Sequence, residues 1–212
     1  MQGMFVAVEG VEGSGKSTQC KRLTEALRSR GLDVVLTREP DGTPMGAVLR
    51  RLFEADGPPP AALAQVFLFM AARQQHVHTV VRPALARGAV VLSDRYADAT
   101  MAYQGYGLGV GLETIRDLNA LATGGLTPDL TLLLDLDPAV GMARIRDRRL
   151  DAFEKMDLTF HRRVRDGYLE IARTEKRRVV VLDASQPPDA LFGSIEAVVS
   201  DRVLNREGLR AP

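Results

Sequence analysis

The chain has 212 residues, 45% hydrophobic and 26% charged, which suits one globular domain able to form a core without disulfides or metals. Its 28 Lys and Arg against 27 Asp and Glu leave a net charge of +1, excluding a broadly basic nucleic-acid-coating protein and an acidic solvating tail. A single cysteine, Cys20, excludes an intrachain disulfide, and no apolar run approaches the roughly 18 residues of a membrane helix, so a cytoplasmic location is expected. Lysine occurs only at Lys16, Lys21, Lys155 and Lys176, leaving 24 arginines.

Met4–Glu9 is a nearly continuous apolar run that leads straight into glycines, as a strand buried on both faces does and a signal peptide does not. Ser17–Arg30 has helical spacing, with Gly31 where a C-cap glycine belongs. Asp33–Thr37 reads as a second strand. Pro44–Glu54 reads as a short helix, closed by Gly57-Pro58-Pro59-Pro60. Ala61–Val81 is a long apolar helix that Pro83 should end. A third strand, Ala89–Ser93, precedes a helix at Asp98–Gln104 and a glycine-rich loop at Gly105–Gly111. Leu112–Ala122 is helical, Leu130–Leu134 is a fourth strand, and Pro138 opens a helix running into the arginine-rich stretch Arg144–Arg149. A helix at Asp157–Lys176, a strand at Arg178–Leu182 and a helix at Pro188–Leu204 complete the pattern. This alternation predicts an α/β fold, a five-stranded parallel sheet with helices on both faces, binding ligands at the carboxyl ends of its strands.

Gly10-Val11-Glu12-Gly13-Ser14-Gly15-Lys16-Ser17 matches the phosphate-loop pattern, with a strand before it and a helix, including Thr18, after it. Glycines let successive backbone N–H groups turn inward around an anion, and the helix start adds its positive dipole end. Lys16 can reach the β- and γ-phosphates, and the Ser17 hydroxyl can hold Mg²⁺. Neither an Asp-x-x-Gly switch nor an Asn/Thr-Lys-x-Asp base reader is present, which argues against a GTPase. Instead the third strand ends in Ser93-Asp94-Arg95-Tyr96. Asp94 can serve the Mg²⁺ shell or orient a nucleophilic oxygen, and Arg95 can neutralise a transferring group.

With these residues assembled, the chain resembles the thymidylate kinase family over nearly its whole length. The markers come in family order: the phosphate loop, Arg38-Glu39-Pro40, Phe69-Met70-Ala71-Ala72-Arg73, Asp94-Arg95-Tyr96, Ala102-Tyr103-Gln104-Gly105, Pro128-Asp129-Leu130 and the arginine-rich lid. The resemblance implies a single P-loop nucleoside monophosphate kinase domain over residues 1–212, with a lid at about 144–156. It implies transfer of the γ-phosphoryl group of MgATP to dTMP, giving dTDP and ADP for dTTP supply, and a homodimer that uses neither nucleic acid polymer nor membrane. A kinase for another nucleoside monophosphate and a catalytically silent nucleotide-binding protein are the alternatives.

By resemblance, Phe69 stacks on thymine and Arg73 hydrogen-bonds a base carbonyl, and their i,i+4 spacing puts both on one helix face. Arg73 on an apolar helix also needs an acceptor, which favours base binding. Arg38 and Arg95 grip the acceptor phosphate. Tyr103 lies against the sugar and disfavours a 2′-hydroxyl, Thr100 and Gln104 line the base pocket, and Glu12 meets the 3′-hydroxyl. Arg148 or Arg149 acts on the transferring phosphate, Arg144 lies against adenine, and Asp183-Ala184-Ser185 closes over the adenine. Two positions depart from the family pattern: Asp41 replaces the first glycine of Arg-Glu-Pro-Gly-Gly-Thr, and Ala152 replaces the arginine of the lid's Asp-Arg-x-Glu. His76, His78 and His161 lack metal-like partners in sequence and read as surface or packing residues.

Overall fold

The apolar run near the start becomes β1 (Met4–Glu9), and all six of its residues are buried. The other strands are β2 (Val34–Arg38), β3 (Val90–Asp94), β4 (Leu130–Asp135) and β5 (Val179–Asp183). In the computed structural model, which describes residues 3–55, 57–147 and 149–204, these five strands form one parallel sheet in the order β2-β3-β1-β4-β5. Strand alternation sends β1 side chains to two separate layers. Met4, Val6 and Val8 join a core cluster with Cys20, Leu23 and Leu27 of α1 (Lys16–Ser29), while Phe5 and Ala7 join Val77, Val81 and Ala84 on the other face. The expected doubly covered α/β sheet is therefore present. The β1 and β3 strands are neighbours whose connections lead to opposite sides of the sheet, which opens a crevice at their carboxyl ends.

Pro83 does not end the long helix. The α3 helix (Ala62–His76) widens into a π-helical turn at Val77–Val81 and continues as α4 (Arg82–Ala86), with Pro83 in its first turn. Proline lacks an N–H and crowds the carbonyl four residues back. In the wide turn the N–H of Arg82 reaches the carbonyl of Val77, five residues back, so the helix has opened before the ring arrives.

Helical structure also enters the expected glycine-rich loop. The α5 helix (Ala97–Thr100) passes into a π-helical stretch at Met101–Gly107. Two of the glycines serve close approach: a Cβ on Gly105 would lie 2.6 Å from Leu112, and one on Gly107 would lie 2.6 Å from the Phe160 ring. The chain then turns at Gly109, with φ near +79°, into α6 (Leu112–Thr123).

The α7 helix (Pro138–Ile145) runs into the arginine-rich stretch, with Arg144 in its last turn. Asp157 caps α8 (Leu158–Thr174) by accepting from the Phe160 N–H at 2.7 Å, and α9 (Pro188–Val199) is followed by a π-helical turn at Ser200–Leu204. Among the described residues no helix is long and apolar enough to cross a membrane. Phe160 is fully buried against Gly107 and the Tyr103 ring, so it holds α8 to the stretch that carries the site. Phe160→Ala is expected to destabilise the fold by about 3–5 kcal/mol, read from the urea midpoint.

Candidate active site

The phosphate loop joins β1 to α1. Gly10, Gly13 and Gly15 all have positive φ, and Gly15 leaves the α1 N-terminus without a side-chain cap. Its first N–H groups therefore remain available to an anion. Gly13 and Gly141 of α7 approach backbone to backbone: a Cβ on Gly13 would lie 2.2 Å from the Gly141 carbonyl oxygen. Lys16 is folded over the loop, its Nζ donating to the Val11 carbonyl at 2.8 Å and to Ser14 Oγ at 3.4 Å. Burial and then Arg95 lower its ammonium to about 8, a shift that phosphate charge would oppose.

The pairing of Val8 with Asp94 and of Arg38 with Asp94 sets the ends of β1, β2 and β3 side by side. Ser17 Oγ then donates to Asp94 Oδ2 at 2.5 Å. Arg95 follows at φ 72°, the single non-glycine residue with positive φ among the described residues. Such backbone strain persists where the surroundings over-determine it. Its guanidinium donates to Glu12 Oε1 at 2.6 Å, to the Gly10 carbonyl at 3.2 Å, and to the hydroxyls of Tyr103 and Tyr168 at 3.1 and 3.2 Å. Tyr103 also donates to Glu12 Oε1, at 2.7 Å.

Glu9 holds this turn from below. It is fully buried and accepts from the Tyr96 N–H at 2.7 Å and the Tyr168 hydroxyl at 2.8 Å. Burial, then Asp98, push its carboxyl from 4.5 up to about 7, against the opposing pull of Arg95, Tyr168 and the Tyr96 N–H.

The other side of the cleft follows β2. Arg38 pairs with Asp41, which accounts for the added negative charge in that loop. Asp41 has no positive φ, so the position does not demand glycine; Gly42 does, because a Cβ there would lie 2.5 Å from the Arg38 carbonyl oxygen. Arg73 needs no ligand as an acceptor. It is buried and donates to Glu39 at 2.8 Å, Asn119 Oδ1 at 2.6 Å, the Tyr96 carbonyl at 3.1 Å and Thr100 Oγ1 at 3.0 Å. Its acceptors lie within the protein, so an unmet donor does not point to a base there, although Arg73 lines the cavity.

Glu39 also meets His76 Nδ1 at 3.0 Å, and His76 Nε2 lies 2.7 Å from Thr37 Oγ1. Burial pushes the Glu39 carboxyl up, but Arg73 and His76 more than reverse it and hold it below the usual carboxylate value. Of the three histidines read as surface or packing residues, His76 and His161 are buried packing residues and His78 is exposed.

One cavity of about 390 Å³ joins the phosphate loop, Asp94 and Arg95 to Arg38, Phe69, Arg73, Thr100, Tyr103 and Gln104. Gln104 is oriented by Gln65, to which it donates at 3.0 Å. Across the loop, Arg144 Nη1 donates to the carbonyls of Gly13 and Ala184, both at 3.2 Å, and Asp183 Oδ1 accepts from the Ser185 N–H. Arg149 donates to the Glu54 carbonyl at 3.3 Å, at the end of α2 (Pro44–Glu54); Arg148 lies outside the described residues.

Nothing in the sequence alone places Glu9, His76, Asn119, Phe53, Phe153 or Tyr168 at the site. Two carried a signal: Glu9 is a carboxylate ending an apolar strand, and His76 follows Arg73 by one helical turn.

A phosphate loop at the head of a parallel sheet, facing a second arginine-lined pocket in one cavity, defines a P-loop kinase of small phosphorylated molecules. The family model for thymidylate kinase matches residues 8–195. The chain is 50% identical to the thymidylate kinase of Deinococcus radiodurans over 202 residues, covering 95% of this chain and 98% of that protein. It is 50% identical to that of Desulfovibrio desulfuricans over 214 residues, covering 97% and 98%. The crystal structure of thymidylate kinase from Ehrlichia chaffeensis superposes with a TM-score of 0.79 at 33% identity, covering 94% of this chain and all of that one. The chain belongs to the thymidylate kinase family.

In the fold, Glu9 keeps a proton that the unfolded chain releases between pH 4.5 and about 7. Its contribution to stability is complete below pH 4.5 and is lost as pH rises through 7. Glu9→Gln removes that dependence. Between pH 5 and 8 the variant should gain about 2–3 kcal/mol on the wild type, read from urea unfolding at the two pH values.

Proposed function

We propose that the cleft transfers the γ-phosphoryl group of ATP to dTMP, giving ADP and dTDP for nucleotide biosynthesis. The chain is an ATP-dependent dTMP kinase, in keeping with its family. The observation that carries the assignment is Arg95, a strained arginine bonded to Glu12 and Gly10 of the phosphate loop on one side and to Tyr103 of the second pocket on the other. A cation there lies between donor and acceptor.

On the donor side, the Gly10–Thr18 loop and Lys16 take the ATP phosphates, and Arg144 with Asp183-Ala184-Ser185 takes the adenine. On the acceptor side, Arg38 and Arg95 take the monophosphate, Tyr103 and Glu12 the sugar, and Phe69, Arg73, Thr100 and Gln104 the base. Ser17 and Asp94 are hard oxygen donors at the mouth of the loop, and they fit Mg²⁺, which uses one or two such ligands plus phosphates and water. When bound, the ion neutralises charge on the β- and γ-phosphates.

The acceptor is already a phosphate dianion, so its oxygen attacks the γ-phosphorus without a general base, and the bond to the β,γ-bridging oxygen breaks. The protein contributes position and positive charge through Lys16, Arg95 and the arginines of the lid, including Arg148 and Arg149. The lid, at about 144–156 within one domain spanning 1–212, excludes water from the transferring group.

Met45, Val48 and Leu52 of α2 and Leu63 and Phe67 of α3 are exposed large apolar side chains, which supports a homodimer. A reducing cytoplasm fits the lone, buried Cys20.

ADP release measured across dTMP, dUMP, dCMP, AMP and GMP should be fastest with dTMP; no release with any of them would favour a silent nucleotide-binding protein. Arg95→Ala is expected to lower kcat by about 10²–10³-fold, and near-normal turnover would remove its assigned role. Light scattering should report a particle of two 23.1 kDa chains.

A further inference from the structure

Between α7 and α8, residues 151–154 form a turn closed on itself. Asp151 Oδ1 accepts from the N–H groups of Phe153 and Glu154 at 2.9 and 3.0 Å, and Glu154 Oε2 accepts from the Asp151 N–H at 2.9 Å. This turn lies across the C-terminal end of α2. The Ala152 N–H donates to the Phe53 carbonyl at 3.0 Å, and Arg149 donates to the Glu54 carbonyl at 3.3 Å. Both carbonyls belong to the last turn of α2, where intrahelical partners are missing, so the lid caps that helix. The position where the family pattern has a lid arginine contributes its backbone N–H to this contact.

The docked turn directs Phe153 into the acceptor half of the cavity. Its ring lies 5.1 Å from Phe53 at 27°, 6.3 Å from Phe69 at 36°, and 5.7 Å from Tyr103, edge to face at 82°. Phe53 in turn stacks on Phe69 at 5.2 Å and 10°. One aromatic wall therefore runs from α3 through α2 into the lid.

We propose that Phe153 is a specificity-determining residue for the acceptor, contacting the pyrimidine from the lid side while Phe69 stacks on it from α3. A flat base in this cavity gains aromatic contact and excludes water on two sides. The lid then answers to the acceptor directly, without ATP. The inference rests on placing the base in this aromatic cavity.

Calorimetric titration of the full chain with dTMP, ATP absent, tests it, beside KM values for both substrates. Phe153→Ala should weaken dTMP binding about tenfold and raise its KM alike, with the KM for ATP within twofold of wild type. Phe153→Leu, which keeps apolar bulk without a flat face, should lie between the two. A purely donor-side lid would leave dTMP binding without ATP unchanged, and that result overturns the proposal. Phe69→Ala separates the two readings. If it leaves dTMP affinity intact, the base does not sit in this cavity and both readings fall. If it weakens dTMP while Phe153→Ala matches wild type, only the lid contact falls.

Discussion

The cleft depends on how the chain leaves β3. Asp94 ends the strand against Ser17, and one residue later Arg95 takes a positive φ to turn its guanidinium back over the phosphate loop. That conformation costs an L-residue about 1–2 kcal/mol. It is held by the Arg95 N–H on the Val8 carbonyl, the Tyr96 N–H on Glu9, and guanidinium bonds to Glu12, Gly10, Tyr103 and Tyr168. Four segments meet there: β1 with its loop, the end of β3, the π-helical stretch carrying Tyr103, and α8.

The half of the cavity that follows β2 has its own rigid centre. Glu39 receives Arg73 and His76, and Arg73 also donates to Asn119, Thr100 and the Tyr96 carbonyl. A buried, fully hydrogen-bonded network of this kind specifies one arrangement of β2, α3, α5 and α6. The residues after Glu39 lead into α2, whose first turn is capped by Thr43 and whose last turn is capped by the lid.

The fold was legible in the sequence because its signals are local. Continuous apolar runs marked the buried strands, and strand–glycine loop–helix marked the anion site. The errors arose where geometry overrides local punctuation. Pro83 is tolerated because a π-helical turn precedes it, and Gly105 and Gly107 permit close packing within a helical path. The residues carried over for the monophosphate, sugar and base line one cavity, yet their partners were invisible. The acceptor that Arg73 requires turned out to be Glu39, 34 residues away in the chain.

By itself, then, the sequence determined the α/β alternation, the phosphate loop with Lys16 and Ser17, and the family, since each rests on residue order and short-range spacing. Tertiary structure decided which charges neutralise one another: Asp41 with Arg38, Glu12 with Arg95, and Glu39 with Arg73. It also decided that the lid rests on α2 with Phe153 in the aromatic wall. Those pairings depend on strand order and on which orphan carbonyls end up within reach, and neither is written in the spacing of residues along the chain.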